Sequence, residues 1–152
     1  MGWRDQDLSS AQGSAACPPE RPASLIEDYF RQVDALVTST GIVHSSSMTY
    51  DKRSTYIGVI RGSVYFLDGS VLHLREFVNV QHAVERYMYT YHYQRPDSTF
   101  LFRYDNTPHF PGLPSFPHHK HEGTESTVLS ASPVDLQAVL TEIQGLMAAP
   151  AP

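Results

Sequence analysis

A single α+β domain is predicted: a curved antiparallel sheet of five to six strands with an N-terminal and a C-terminal helix packed on its aromatic face. Three observations predict it. Apolar residues recur at helical spacing near both ends of the chain, over residues 25–37 and 136–147. Between them, from Gly41 to Asn106, the period changes to two and the residues become β-branched and aromatic. Asp68-Gly69 supplies a hairpin turn inside that region. At 152 residues the chain is long enough for one core, and no internal repeat or second domain is evident.

Residues 1–22 mix Asp, Gln, Ser, Gly, Ala and Pro without periodicity and are expected to form a disordered tail, leaving a domain over 23–148. Ser24-Leu25-Ile26-Glu27 has the capping-box pattern, so a helix is expected to start at Ser24 and run to about Thr38. Leu25, Ile26, Tyr29, Phe30, Val33, Leu36 and Val37 make its apolar face. Strands are expected over 42–50, 55–67, 70–80, 84–94 and 99–105. A two-residue turn at Asp68-Gly69 places Leu67 opposite Ser70, Val64 opposite His73, Gly62 opposite Arg75 and Arg61 opposite Glu76, the last as a cross-strand ion pair. In the fourth strand Tyr87, Tyr89, Tyr91 and Tyr93 fall on one face, and Arg86, Met88, Thr90 and His92 on the other. A four-residue turn at 95–98 pairs Gln94 with Thr99, stacking Tyr93 on Phe100, Tyr91 on Phe102 and Tyr89 on Tyr104. The opposite, polar face then receives His92 beside Leu101, Thr90 beside Arg103 and Met88 beside Asp105.

Residues 107–117 hold four prolines and a glycine, which predicts a rigid loop delivering His118 onward to a fixed place. A short last strand is expected over 124–131. Ser132-Pro133-Val134-Asp135 then reads as an N-cap, a first-turn proline and an acidic first turn. The closing helix buries Leu136, Val139, Leu140, Ile143, Leu146 and Met147.

Composition excludes several classes. A formal charge of −5 argues against a wholesale cationic coat for nucleic acid, although a local basic patch is compatible with it. The single cysteine, Cys17, can form neither an internal disulfide nor a cysteine-based zinc site. No window approaches the length of a membrane span and the first twenty residues lack a signal-peptide core, so a soluble, cytoplasmic protein is expected.

The chemistry concentrates in Phe102-Arg103-Tyr104-Asp105-Asn106-Thr107-Pro108-His109 and Pro117-His118-His119-Lys120-His121. The second run follows a proline and is expected to be extended, with His119 and His121 on one face and His118 and Lys120 on the other. Two imidazoles and a guanidinium or ammonium meet the needs of phosphodiester cleavage without metal. A base takes the ribose 2′-hydroxyl proton, an acid protonates the leaving 5′-oxygen, and cations stabilise the phosphoryl oxygens. His119 and His121 are candidates for acid and base, Arg103 and Lys120 for phosphate clamps, and Asp105 for orienting an imidazole. His118 and Glu76 are further catalytic candidates, Glu76 being a carboxylate on an otherwise apolar strand face. Arg75, His92, Tyr104, Asn106 and His109 are candidates for contacting substrate. The histidine pair with Glu76, Asp105 or His109 offers a divalent metal site, and so a metal-dependent nuclease or hydrolase, as one alternative; a non-catalytic module whose polar face docks a protein is the other. No Gly-rich phosphate loop, nucleophile elbow or Cys–His arrangement is present, and no cofactor is assigned.

Leu74-Arg75-Glu76-Phe77, Tyr91-His92-Tyr93, Phe102 to His109 and Phe116-Pro117-His118-His119-Lys120-His121, in this order and spacing, resemble the TumE-type toxins over roughly residues 25–147. The resemblance implies a growth-inhibiting toxin whose gene sits beside that of a helix-turn-helix antitoxin, with ribonuclease activity and RNA as the expected substrate. A homodimer is compatible with it, and no membrane partner is implied. Phe110 stands where many members carry a second histidine after His109, which argues against a two-histidine role for this loop.

Overall fold

The computed structural model describes residues 25–149; the expected disordered tail, Cys17 and the Ser24 cap lie outside the described residues. Helix α1 (Ile26–Ser39) is followed by strands β1 (Val43–Lys52), β2 (Ile57–Phe66), β3 (Val71–Asn79), β4 (Glu85–Gln94), β5 (Phe100–Asp105), β6 (His119–Glu122) and β7 (Val128–Ser130), and helix α2 (Leu136–Ala148) closes the chain. All seven strands form one antiparallel sheet in the order β1 to β7, so each pairs with its sequence neighbours and the sheet stays open. The expected five to six strands become seven because the extended histidine run is itself a strand, β6, and the last strand shrinks to three residues.

Both helices pack on one face. Ile26, Tyr29, Val33 and Val37 of α1 and Leu136, Val139, Leu140 and Ile143 of α2 join Ile60, Val64, Leu72, Leu74, Tyr89, Tyr91, Tyr93 and Phe102 in one core. The other face carries the polar side chains, with a patch of Val59, Phe77 and Met88 among them. The N-cap of helix α1 falls one residue later than expected, at Leu25: Asp28 Oδ2 accepts from the Leu25 N–H (3.1 Å), while Glu27 turns to Lys52. Helix α2 is capped by Asp135, which accepts from the Ala138 N–H (2.9 Å), rather than by Ser132. Leu146 is exposed and not part of its buried stripe.

Register departs from expectation at three places, each with a local cause. Phe66 N–H bonds the Ser70 carbonyl and Gly69 takes φ +85°, so the β2–β3 loop has three residues, Leu67 to Gly69, instead of two. Every β2–β3 pair therefore slips by one: Arg61 faces Arg75, Ser63 faces His73, and Glu76 faces Ile60. The Arg61–Glu76 ion pair does not form. Gly62 faces Leu74, and its missing Cβ admits the Ser47 carbonyl of β1.

In β4 a bulge at Tyr87 makes Met88 face Phe77 and Arg86 face Val78. Tyr87 is thereby expelled from the aromatic row and Arg86 turns inward. The β4–β5 loop is again three residues, Pro96 to Ser98, closed by Arg95 N–H to Thr99 O with Ser98 at φ 70°, and Leu101 bulges. Together these put Tyr93 beside Phe102, Tyr91 beside Tyr104, His92 beside Arg103 and Thr90 beside Asp105.

Candidate active site on the open face of the sheet

Pairing of β5 with β6 sets Asp105 opposite His119 and Arg103 opposite His121. Period-two alternation turns these four side chains onto the face away from the helices. Asp105 is the centre. Its Oδ1 lies 2.9 Å from His119 Nε2, and its Oδ2 lies 3.1 Å from Arg103 Nε and 3.7 Å from His121 Nε2. On the far side of each ring, Nδ1 meets a backbone carbonyl: Pro117 O at 2.9 Å for His119 and Glu125 O at 2.7 Å for His121. A carbonyl only accepts, so Nδ1 carries the hydrogen in both rings and Nε2 is the nitrogen turned to Asp105. Arg103 Nη2 stands 3.3 Å from His121 Nε2 and donates to its lone pair. His119 Nε2 and Asp105 Oδ1 stand within hydrogen-bonding distance of each other.

The proline-rich loop covers this cluster. Thr107 N–H anchors its start to Asp105 Oδ1 (3.0 Å), and the Phe110 ring lies edge-to-face 4.9 Å from His119 and 5.8 Å from His121. His119 is left 2% exposed and His121 5%. Arg103 stays partly open, and its Nη1 bonds the exposed Glu125 carboxylate (2.5 Å), which this hydrogen bond and charge hold below the usual carboxylate range. Approach is therefore from the Arg103 side.

The remaining sequence candidates are distributed elsewhere. Lys120 points to the helix side, 2.9 Å from both Glu122 and Glu142 and above the Phe102 and Tyr104 rings. Burial would lower its pKa, but the two carboxylates outweigh burial and raise it. Tyr104 donates to Glu142 (2.6 Å) on the same side. His118 stacks on Tyr89 and shares a 2.8 Å hydrogen bond with its hydroxyl; burial, then the charge of His119, lowers its pKa. Glu76 is fully buried among the core residues, accepting from Tyr29 (2.5 Å) and Tyr91 (2.6 Å), with Arg86 Nε at 3.3 Å as its ion-pair partner in place of Arg61. Asn106 spends its amide on β4, accepting from Tyr89 N–H and donating to Tyr87 O. His109 is exposed on the loop, 6.3 Å from Phe110. Arg75 and His92 share the open face with the cluster, and burial followed by Arg103 lowers the His92 pKa.

Four candidates thus converge, Arg103, Asp105, His119 and His121. Phe110 and Glu125 join them without having been anticipated. The usable signal was the match of Arg-x-Asp to His-x-His at two-residue spacing, the pattern of facing partners on paired strands. Asp105, His119 and His121 also offer one ligand atom each within 4.8 Å of one another and are the residues able to hold a divalent metal.

An open antiparallel meander with helices on one face and a carboxylate–imidazole–guanidinium cluster on the other defines a small α+β protein. Residues 26–147 match the family model described as Toxin TumE, and the chain belongs to that toxin family. A toxin of this family implies an antitoxin partner. No curated protein and no solved structure matches the chain. No helix among the described residues is long and apolar enough to cross a membrane.

Proposed function

We propose that this toxin arrests growth in the cytoplasm as a metal-independent endoribonuclease, with Arg103, Asp105, His119 and His121 as its site and a helix-turn-helix-type protein as its antitoxin. The observation that carries this reading is the convergence of two imidazole Nε2 atoms and one guanidinium on a single buried carboxylate. His121, whose Nε2 lone pair is released when Arg103 turns its Nη2 onto the phosphate, is the base that removes the 2′-hydroxyl proton. The 2′-oxygen bonds to phosphorus, the bond to the 5′-oxygen breaks, and the proton shared by His119 and Asp105 passes to that oxygen. The products are a 2′,3′-cyclic phosphate and a 5′-hydroxyl. Arg103 spans two phosphoryl oxygens with its fork. The Phe110 loop must swing aside for His119 to reach the leaving group.

A metal reading is favoured by one specific feature: imidazoles that bind metals characteristically donate their other N–H to a carbonyl or carboxylate, as both rings do here. Against it, Arg103 already occupies Asp105 Oδ2 and the lone pair of His121, and a cation at that centre would have to displace it. Total RNA from cells briefly expressing the wild type, compared with His119→Ala plus His121→Ala at matched protein levels, tests the proposal. Cleavage by the wild type alone, with cyclic phosphate ends and undiminished in chelator with purified protein, is the expected result. Intact RNA with arrested growth refutes the nuclease; loss in chelator restored by one added metal moves the mechanism to the metal reading.

A further inference from the structure

The register places two further rows of side chains on the open face, leading into the cluster. One row runs Arg61, Arg75, Thr90, Asp105 and His119 across β2 to β6, and the next runs Ser63, His73, His92, Arg103 and His121. At ~4.8 Å per strand the distance from Arg61 to His119 is about 19 Å.

Arg61 and Arg75 are exposed and directly opposite each other, an arrangement that costs stability when nothing neutralises it. Among the described residues neither has an acidic partner within ion-pairing distance. Acids nearby on this face are engaged, Asp105 and Glu125 by Arg103 and Asp51 by Arg53, while Glu85 lies two rows away opposite Asn79. Among the described residues, Glu27, Asp28, Asp34, Asp135 and Glu142 lie on or beneath the helices. Arg61 and Arg75 thus form an unneutralised cationic pair on the open face of a chain whose net charge is −5. Beside Arg75 on that face, the rings of Phe77 and the exposed Tyr87 lie 5.7 Å apart, tilted by 35°.

We propose that this face is the binding track for single-stranded RNA, with Tyr87 and Phe77 as a base-stacking platform, Arg61 and Arg75 as phosphate contacts, and Arg103 as the point of entry to the cluster. Cations that follow a backbone, joined to an aromatic platform, are the combination by which proteins hold single strands without reading sequence. The inference rests on the ribonuclease reading above and adds its substrate path.

The test uses a labelled single-stranded oligoribonucleotide with every 2′-oxygen methylated, so that binding is read without cleavage, by fluorescence anisotropy over a series of salt concentrations. Arg61→Gln with Arg75→Gln is expected to weaken binding about tenfold and to lower the slope of log affinity against log salt by about 1.4, two contacts at ~0.7 each. Tyr87→Ala is expected to weaken it about fivefold or more with the slope unchanged. Arg31→Gln removes one like charge from the helix side, where Arg31 is exposed beside Asp28, and is expected to bind as the wild type, against a loss of about threefold for each of Arg61→Gln and Arg75→Gln alone. Wild-type affinity in the double arginine variant, equal loss in Arg31→Gln, or no saturable binding by the wild type at low salt overturns the track. Loss of antitoxin binding by the arginine variant, with no wild-type RNA binding, reassigns the face to a protein. Binding that behaves as expected while cellular RNA stays intact keeps the track and removes the nuclease; cut RNA with variants that bind normally does the reverse.

Discussion

Two carboxylates are buried in this sheet, one on each side of it, and each faces an arginine and two aromatic rings. Glu76 is held by the hydroxyls of Tyr29 and Tyr91 and by Arg86; Asp105 is held by the imidazoles of His119 and His121 and by Arg103. The partners differ in one respect that decides their use. Burial, and then the negative charge of Glu76, push both phenols well above the ordinary tyrosine pKa, so neither gives up its proton near neutrality. The two imidazoles have Nδ1 tied to a backbone carbonyl and Nε2 turned to the anion. The Glu76 cluster fastens α1 to β3 and β4. The Asp105 cluster lies beneath a loop and beside a partly open arginine, the arrangement on which the proposed proton transfers rest.

The largest effect that separates the two is on turnover. His121→Ala removes the proposed base and is expected to lower RNA cleavage by about 10²–10⁴-fold, with circular dichroism and melting close to wild type. A variant that cleaves normally ends the comparison at once. On the helix side the effect is on stability. Glu76→Ala strands two hydroxyls and a guanidinium in the core and is expected to cost about 3–5 kcal/mol in urea unfolding. Asp105→Asn is expected to lose cleavage with a smaller cost, because both imidazoles keep their carbonyl anchors. If Glu76→Ala unfolds like wild type, the fastening role is wrong.

Much of this contrast was legible in the sequence, and the errors share a cause. The two helices, the sheet, the aromatic core face and the outward placement of Arg103, Asp105, His119 and His121 follow from periodicity, which depends on residue type alone. Register depends on loop length, and both hairpin loops were read one residue too short or too long. Leu67-Asp68-Gly69-Ser70 and Pro96-Asp97-Ser98-Thr99 form the same loop, in which the Asp Oδ1 accepts the N–H two residues on and the third residue takes positive φ. That shared Asp was the available sign. The bulge at Tyr87, which turned Arg86 into the core and gave Glu76 its partner, leaves no trace in an alternating run of tyrosines. Lys120 was grouped with its histidine neighbours by proximity in sequence, although alternation had already put it on the other face.

A smaller effect probes the cover of the Asp105 cluster. Phe110→Ala removes the ring that lies on both imidazoles and is expected to make His119 and His121 react several-fold faster with diethylpyrocarbonate, read peptide by peptide in mass spectra. The loop tip residue His109, already exposed, serves as the internal standard and is expected to react at the same rate in both proteins. Unchanged protection of His119 and His121 means that the strands alone enclose them and that the loop is no lid.

The smallest expected effect concerns His118, which adjoins His119 in sequence but packs on Tyr89 with the core. Its pKa is lowered from 6.5, by burial first and then by the charge of His119. The unfolded chain therefore takes up this proton at a higher pH than the folded protein does. Below about pH 6.5 the unfolded state binds more protons at this position, so the free energy of unfolding falls as pH falls, until the folded ring also titrates; above that window His118 is neutral in both states and adds no slope. His118→Asn removes this proton and is expected to flatten the dependence of urea midpoint on pH below 6.5, leaving the part due to His92, whose pKa is lowered in the same direction. An unchanged slope excludes a neutral, helix-side His118. A steeper slope in the variant means that the wild-type ring gains a proton on folding, as a member of the Asp105 cluster would, and the boundary between the two faces then has to be redrawn through His118.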